Sequence, residues 1–583
     1  MCGVIAYKGE RNAVNLVLEG LKLLEYRGYD SWGIAAKNDS IHLFKDIGKI
    51  GEVKDDVNLP SSRITIGHTR WATTGAVTKE NAHPHLSCDK KIAVVHNGVI
   101  ENYEELKKQL KNHDFISETD TEIIPHLIEE NLNLGFFESV KKTANLLQGR
   151  SSFIVINENS DEIIAVRKGA PLILGIGDNE YFIASDIPAF LDHTKNVNYL
   201  DDNEMVIIKD KPIFYNFTIN QEVSKRLITI EWDKDQAKKG DYKHYLIKEI
   251  MEQKDTINKA INQDEQEIQK IADEINNAFG TFFVGCGTAA KMCHAGEYLY
   301  SKIAKKHINF VVASEFSNYH HFLTDKTLMI VVSQSGETAD VIEAIEAAKK
   351  ENVKIISLIN VQGSTISLKS DFTLLIKAGP EKAVASTKAA TSQLALLLLL
   401  AYASNKELKE GKRLLIETAG MINDMLNLRY EDHIKTLADQ IYKKEHMYII
   451  GKSANYPMAL ESAIKIQEIS YMHAEGFAAG ELKHGPIALI EKNTPCIALV
   501  ANDETKKDVL INARELKTRG AYIIGVAPEY NKIFDYWIKV PDAGNASPIV
   551  NIIPIQILAY HLALLRGHDP DLPRNLAKSV TVK

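Results

Sequence analysis

Cysteine is scarce, with five thiols, at positions 2, 88, 286, 293 and 496, in 583 residues. They are odd in number and never spaced C-x-x-C, which fits a reducing compartment better than a disulfide framework. Long apolar runs are missing as well. The most apolar stretch, residues 394–403, covers about half of the ~20 residues a membrane-crossing helix needs, and it predicts a buried core helix instead. Basic charge is not in excess: 69 Lys and Arg against 77 Asp and Glu leave a net charge of −8. That argues against nucleic acid or an anionic membrane as the main partner and leaves basic residues to act locally, on a phosphate for example. No leader pattern precedes the first strand, read at residues 4–7, so the expected location is the cytoplasm.

What is present starts at the second residue. Met1-Cys2-Gly3 carries a small second residue, which lets the initiator methionine be removed and gives Cys2 a free α-amine. Such an amine titrates at roughly 7.7–8, so near neutrality it can act as general base for its own thiol. The first two hundred residues then read as runs of strands and runs of helices, a pattern of stacked sheets with helices outside rather than a parallel wind. Chemistry-bearing residues fall at strand ends, in 68–73 (His-Thr-Arg-Trp-Ala-Thr), 96–98 (His-Asn-Gly) and 119–121 (Thr-Asp-Thr). An Asn-Gly pair offers an amide and a close backbone N–H for an oxyanion. Arg70 is a two-pronged donor for a carboxylate, and Asp120 an acceptor for an ammonium. Asn-Gly is equally a plain turn, and an aspartate ahead of a helix equally an N-cap. His68, His83, His85 and His96 lack a metal-ligand spacing, and no metal is expected of them.

Cys2-Gly3, the Tyr-Arg-Gly-Tyr-Asp run at 26–30, residues 68–73, Asn-Ala-His-Pro-His at 81–85, residues 96–98 and 119–121 resemble the N-terminal-nucleophile glutamine amidotransferases, in that family's order. The resemblance implies a four-layer αββα domain over 2–222 that releases ammonia from glutamine. It implies Cys2 as nucleophile, Asn97 and the Gly98 N–H as oxyanion hole, Arg70 and Asp120 as clamp for the substrate's α-groups, and Trp71 and Thr73 as pocket walls. Relatives usually carry histidine where this chain has Thr74.

Residues 223–244 read as a linker, and 245–278 as a charged helical run with a solvated face. From residue 281 strand and helix alternate, the pattern of doubly wound α/β units, and the pattern repeats from residue 447. The Ser-Gln-Ser-Gly-Glu-Thr turn at 333–338, between strand and helix, offers hydroxyls and backbone N–H groups suited to a phosphate monoester. The equivalent stretch of the second copy, 501–505, has no serine, so one phosphate pocket is expected. A loose dinucleotide fingerprint at Gly285, Gly287 and Ala290, and a P-loop-like end at 451–453 that lacks its first glycine, are set aside. Lys465 and Glu468 share a helix face, either as a proton-moving pair or as a surface ion pair. His484 sits in a turn where it can titrate, and Lys578 lies in a tail too short to fold alone, where a Schiff base with a ketose is conceivable.

These segments, with residues 286–288, resemble the sugar isomerase domains of the glucosamine-6-phosphate synthase family. The expected architecture is thus a multi-domain α/β chain: the glutaminase domain, a first sugar isomerase domain over 272–411, a second over 438–573, and a catalytic tail over 574–583. The resemblance implies that fructose 6-phosphate and glutamine give glucosamine 6-phosphate and glutamate, opening amino-sugar synthesis toward UDP-N-acetylglucosamine without a cofactor. Ammonia would travel by an internal channel. Thr288, Ser333, Gln334, Ser335 and Thr338 would bind the sugar phosphate, with Val384 and Ser386 nearby. Lys578 would form the Schiff base at C2, Glu468 would move the proton between C1 and C2, and His484 would assist ring opening at a neighbouring subunit's site, which implies a homodimer or larger homo-oligomer. Ala289 replaces a frequent serine. Two alternatives stay open: a related synthase acting on another keto-sugar or amino-sugar phosphate, and a non-catalytic sugar-phosphate sensor.

Overall fold

The computed structural model describes residues 2–53, 57–230 and 239–580. Met1, linker residues 231–238 and the tail's last three residues lie outside them. The described chain forms two compact units, one of residues up to 230 together with 577–580, the other of 239–576.

In the first unit two antiparallel sheets stack. One runs Ile228–Thr229, Asn196–Tyr199, Ile173–Ile176, Tyr181–Ala184, Gly3–Lys8, Ile64–Arg70, Ser31–Lys37, Ile41–Ile47. The other runs Gln221–Val223, Pro212–Asn216, Glu204–Ile208, Ile163–Lys168, Ser151–Asn157, Ile92–Gly98, His85–Leu86. Alternation along each strand explains the layering. Ile5 and Tyr7 point to helix Ala13–Leu23, whereas Val4 and Ala6 meet Ala93, Val95, Ile154 and Ile156 of the other sheet. On that sheet's far side Ile92, Val94, Phe153 and Val155 pack under helices Ile123–Glu130 and Phe136–Leu146. This is the expected αββα order. Within the stretch read as a linker, 223–244, the described residues include a short strand, Ile228–Thr229, that closes the first sheet.

The second unit holds two five-stranded parallel sheets of identical order. The first runs Asn309–Val312, Gly280–Gly285, Thr327–Ser333, Lys354–Ile359, Phe372–Leu375, and the second His473–Ala478, His446–Gly451, Pro495–Leu499, Tyr522–Ala527, Tyr536–Lys539. In both, the first strand in sequence lies second in space, so the repeat read from the sequence is a repeat of topology. Such sheets place ligand sites at the carboxyl ends of their strands, where the order reverses.

Helix Lys388–Ser404 is buried along its whole length, as expected. The longest apolar helix is another, Ser547–Leu565; it is long and apolar enough to cross a membrane, yet almost all of it is buried in the unit's core. The charged run at 245–278 departs from expectation. It forms three helices, Tyr245–Met251, Gln253–Ile261 and Glu265–Asn277, and buries Lys248, Glu249 and Gln253 with its apolar face. Pairing makes that burial tolerable: Lys248 and Lys388 both bind Glu252, and Glu249 accepts the Lys382 and Ala383 N–H groups.

Candidate active sites

Cys2 leads into a central strand of the first sheet, with Gly3 opposite Thr69 on its neighbour. This register brings Trp71 to the thiol: its N–H donates to Sγ at 3.2 Å, and Sγ reaches its carbonyl at 3.5 Å. The Cys2 carbonyl is held from two sides, by Asn97 Nδ2 at 3.0 Å and Arg27 Nε at 3.3 Å. Arg27 is fixed by Asp186 at 2.9 Å, which also accepts the Tyr26 hydroxyl at 2.6 Å. Asp30 anchors the facing loop through the Ala72 N–H at 2.8 Å. Arg27, Asp30 and Asp186 have no role assigned from the sequence alone. Only the 26–30 run signalled the first two, and nothing local signalled Asp186.

Two glycines are required by this arrangement. A Cβ on Gly28 would lie 2.6 Å from the Arg70 carbonyl carbon and 2.7 Å from Trp71 N. Gly98 has φ +136° and a Cβ there would sit 1.9 Å from Arg150 O.

Burial raises the pKa of the Cys2 thiol, against the lowering effects of the Trp71 N–H and the Arg70 charge. A thiol in that setting is not a thiolate on its own and needs a base. Arg70 is buried and donates to the carbonyls of Ala76 at 3.0 Å, Thr74 at 2.5 Å and Gly75 at 3.1 Å. Residue 74 therefore meets Arg70 through its backbone, a contact that threonine and histidine make equally well. Thr73 is exposed on this turn. Asp120 is buried and accepts the Ile100 N–H at 2.7 Å, tying its segment to the turn that follows Gly98. It is not a helix N-cap.

Four buried histidines form the floor beneath. His68 stacks on His83 with centroids 3.9 Å apart, His83 meets His85 edge-on, and His96 bonds Thr121 at 2.8 Å. Burial lowers all four, His68 to about 3 and His83 and His85 well below the usual value. Their folded-state proton affinity thus lies below that of the unfolded chain. Stability is fully present above about pH 6.5 and is lost as pH falls toward 3. Each ring kept neutral costs about 1.4 kcal/mol per pH unit in that window. A melting series is expected to show the first unit's transition dropping by several degrees between about pH 7 and about pH 5. A flat series would show that these rings protonate freely in the folded state.

In the second unit, strand Thr327–Ser333 ends on the serine-rich turn, and Thr338 sits at the residue before helix Ala339–Lys350. The hydroxyls are pre-arranged. Ser333 Oγ accepts the Gly336 N–H at 3.1 Å and lies 3.1 Å from Thr338 Oγ1, and Ser335 Oγ accepts the Glu337 N–H at 3.2 Å. Glu337 locks the turn from behind by accepting the Thr365 N–H and hydroxyl, both at 2.7 Å. The Gln334 carbonyl accepts from Asn360. In the second copy Asp503 occupies the matching turn and accepts the Thr505 N–H and hydroxyl at 2.9 and 2.6 Å. A carboxylate there repels a phosphate, so this turn, already without serines, is unsuited to an anion.

Thr288, in the first turn of helix Gly287–Leu299, donates to Glu461 at 3.0 Å. Glu461 is part of a triad on helix Asn455–Ser470, with Lys465 3.3 Å from Glu461 and in contact with Glu468. The Lys465–Glu468 pair is therefore no surface ion pair, since Lys465 and Glu461 are fully buried. Glu461 was not singled out in the sequence; its position seven before Glu468 on one helix was the available signal. Burial works against the Lys465 charge, but Glu461 and Glu468 outweigh it and keep an ammonium, while burial raises Glu461. Lys465→Met would leave Glu461 buried without its partner, and is expected to lower the second unit's unfolding free energy by about 3–5 kcal/mol in a denaturant titration. A loss under about 1 kcal/mol would show the triad to be dispensable for folding.

Ser386 donates to Glu381 at 3.0 Å, and the buried Val384 donates its N–H to the Asp571 carbonyl at 3.0 Å. His484 is exposed in the short helix Glu481–His484. Lys578 is half-buried and belongs to the first unit.

Comparison with known proteins follows the same division. A glutamine amidotransferase domain model matches residues 68–192, and a SIS domain model matches twice, at 274–403 and 440–566. Proteins named glutamine–fructose-6-phosphate aminotransferase (isomerizing) from Thermococcus kodakarensis and Pyrococcus horikoshii are each 42% identical, with all of both chains covered. The solved structure of the C-terminal domain of glucosamine-fructose-6-phosphate aminotransferase from Francisella tularensis matches 58% of this chain and all of its own, at 33% identity and TM-score 0.54. Whole-length identity and both domain types in order make this chain a member of the isomerizing glutamine–fructose-6-phosphate aminotransferase family.

Proposed function

We propose that this chain hydrolyses glutamine at Cys2 and spends the ammonia on fructose 6-phosphate, giving glucosamine 6-phosphate and glutamate. With Met1 removed, the Cys2 α-amine takes the proton of a thiol that burial keeps from ionising by itself. The thiolate attacks the amide carbon. The second N–H of the Asn97 side-chain amide and the Gly98 N–H stabilise the oxyanion, the protonated α-amine passes its proton to the departing nitrogen so that ammonia leaves, and water hydrolyses the thioester. Arg70 and Asp120 clamp the substrate's α-carboxylate and α-amine, and Trp71 and Thr73 wall the pocket.

At the sugar, Thr288, Ser333, Gln334, Ser335 and Thr338 hold the phosphate at two helix N-termini, with Val384 and Ser386 alongside. Lys578 forms the Schiff base at C2, ammonia displaces it, Glu468 carries the proton between C1 and C2, and His484 of a second subunit opens the ring. That role suits an exposed histidine and a homo-oligomer. Free thiols at all five cysteines suit the cytoplasm. One observation carries the reading: the Thr288–Glu461 hydrogen bond joins the phosphate-type copy to the buried acid–base helix of the other, so that one site draws on both. Purified protein given glutamine and fructose 6-phosphate, with glutamate and amino sugar assayed separately, tests it. Both products are expected; glutamate alone, with no amino sugar, would sink the proposed sugar chemistry.

A further inference from the structure

Away from the cysteine nucleophile, four donors from three segments of the first unit converge. Cys88 lies in the turn between strands His85–Leu86 and Ile92–Gly98, His113 in the loop after helix Tyr103–Gln109, and His126 and Glu129 one turn apart on helix Ile123–Glu130. Cys88 Sγ is 3.5 Å from His113 Nδ1 and 3.6 Å from His126 Nδ1. Glu129 Oε2 is 3.2 Å from His113 Nδ1 and 3.5 Å from His126 Nδ1, and all four ligand atoms lie within 4.8 Å of one another.

Tetrahedral zinc, with Zn–S near 2.3 Å and Zn–N and Zn–O near 2.0–2.2 Å, has donor–donor edges of about 3.3–3.6 Å. The four measured edges fall on or beside that range. The outer nitrogens also face carboxylates, as ligating histidines require: His113 Nε2 lies 2.9 Å from Glu130 and His126 Nε2 3.7 Å from Glu122. The other Glu129 oxygen is oriented by the Asp89 N–H at 3.0 Å. A dication would also offset three carboxylates gathered around two imidazoles. His113 and His126 side chains are nearly buried while Cys88 is exposed, which gives a preformed floor with an entry from solvent.

We infer that Cys88, His113, His126 and Glu129 form a tetrahedral site for one zinc ion. With all four positions filled by protein it is a structural site, outside both reactions. Its mechanical consequence is specific. The metal would pin both ends of the stretch from His113 to His126, whose middle carries Asp120, so it would fix the acceptor proposed for the glutamine α-amine.

The test uses the full chain, stripped with chelator and then titrated with Zn²⁺ or Co²⁺, with the Cys2→Ala protein alongside. One metal per chain is expected, with a thiolate-to-cobalt charge-transfer band that persists in Cys2→Ala and is absent in Cys88→Ser. Zinc should raise the first unit's melting temperature in the wild type and not in Cys88→Ser or His126→Gln. Glu130→Gln, which alters the carboxylate facing the outer nitrogen of His113, should weaken binding roughly 10–100-fold. Binding with no thiolate band, or the same stoichiometry in Cys88→Ser/His126→Gln as in the wild type, would overturn the site. So would a wild type that takes up no metal; the cluster would then be hydrogen-bonded only.

Discussion

Replacing Cys2 by alanine is expected to abolish glutamine-dependent amino-sugar formation, by roughly 10⁴–10⁶-fold, while the second unit still interconverts hexose phosphates. The size follows from the geometry. The thiol is gripped by the Trp71 backbone on one side, and its carbonyl by Asn97 and Arg27 on the other. Alanine leaves that cradle intact and removes only the atom proposed to attack. Unchanged melting of the first unit is the control, and glutaminase activity within about tenfold of wild type would remove Cys2 from the mechanism. Retention of Met1, or any N-terminal extension, should have the same selective effect, because the amine proposed as base would then be an amide.

Lys578→Ala is the second large expectation. Without a Schiff base at C2, ammonia must add to an unactivated ketose carbonyl, so amino-sugar synthesis should fall at least about 10³-fold. Glutamine hydrolysis should remain measurable, which separates lost chemistry from a misfolded chain. Synthesis at the wild-type rate in Lys578→Ala would exclude that lysine.

Much of this was legible in the sequence because the chemistry sits in short local motifs. The Ser333–Thr338 turn is one stretch of chain, and its helix N-terminus follows from strand-to-helix grammar alone. Long-range partners were not legible. Arg27 and Asp186 are 159 residues apart and meet only because the first sheet folds them together. The charged run at 245–278 read as solvated because the sequence shows charges but not the pairing that lets Lys248 and Glu249 be buried. Strand Ser151–Asn157 is buried on both faces, so it shows no alternation to mark its bounds. Helix Ser547–Leu565 escaped notice as the longest apolar element because Pro554, Gln556 and His561 interrupt its run, although the fold buries all three. The strands Ile173–Ile176 and Asn196–Tyr199 are four residues each, too short to show a period, and pairing with their neighbours holds them.

The central claim is that ammonia made at Cys2 becomes the amine of the sugar. It is tested most directly by supplying amide-¹⁵N glutamine and fructose 6-phosphate in the presence of unlabelled ammonium, and measuring the isotope in the amino sugar formed. Nearly complete labelling, equal in amount to the glutamate released, is expected. Amino sugar carrying the unlabelled nitrogen of the bulk ammonium would contradict it.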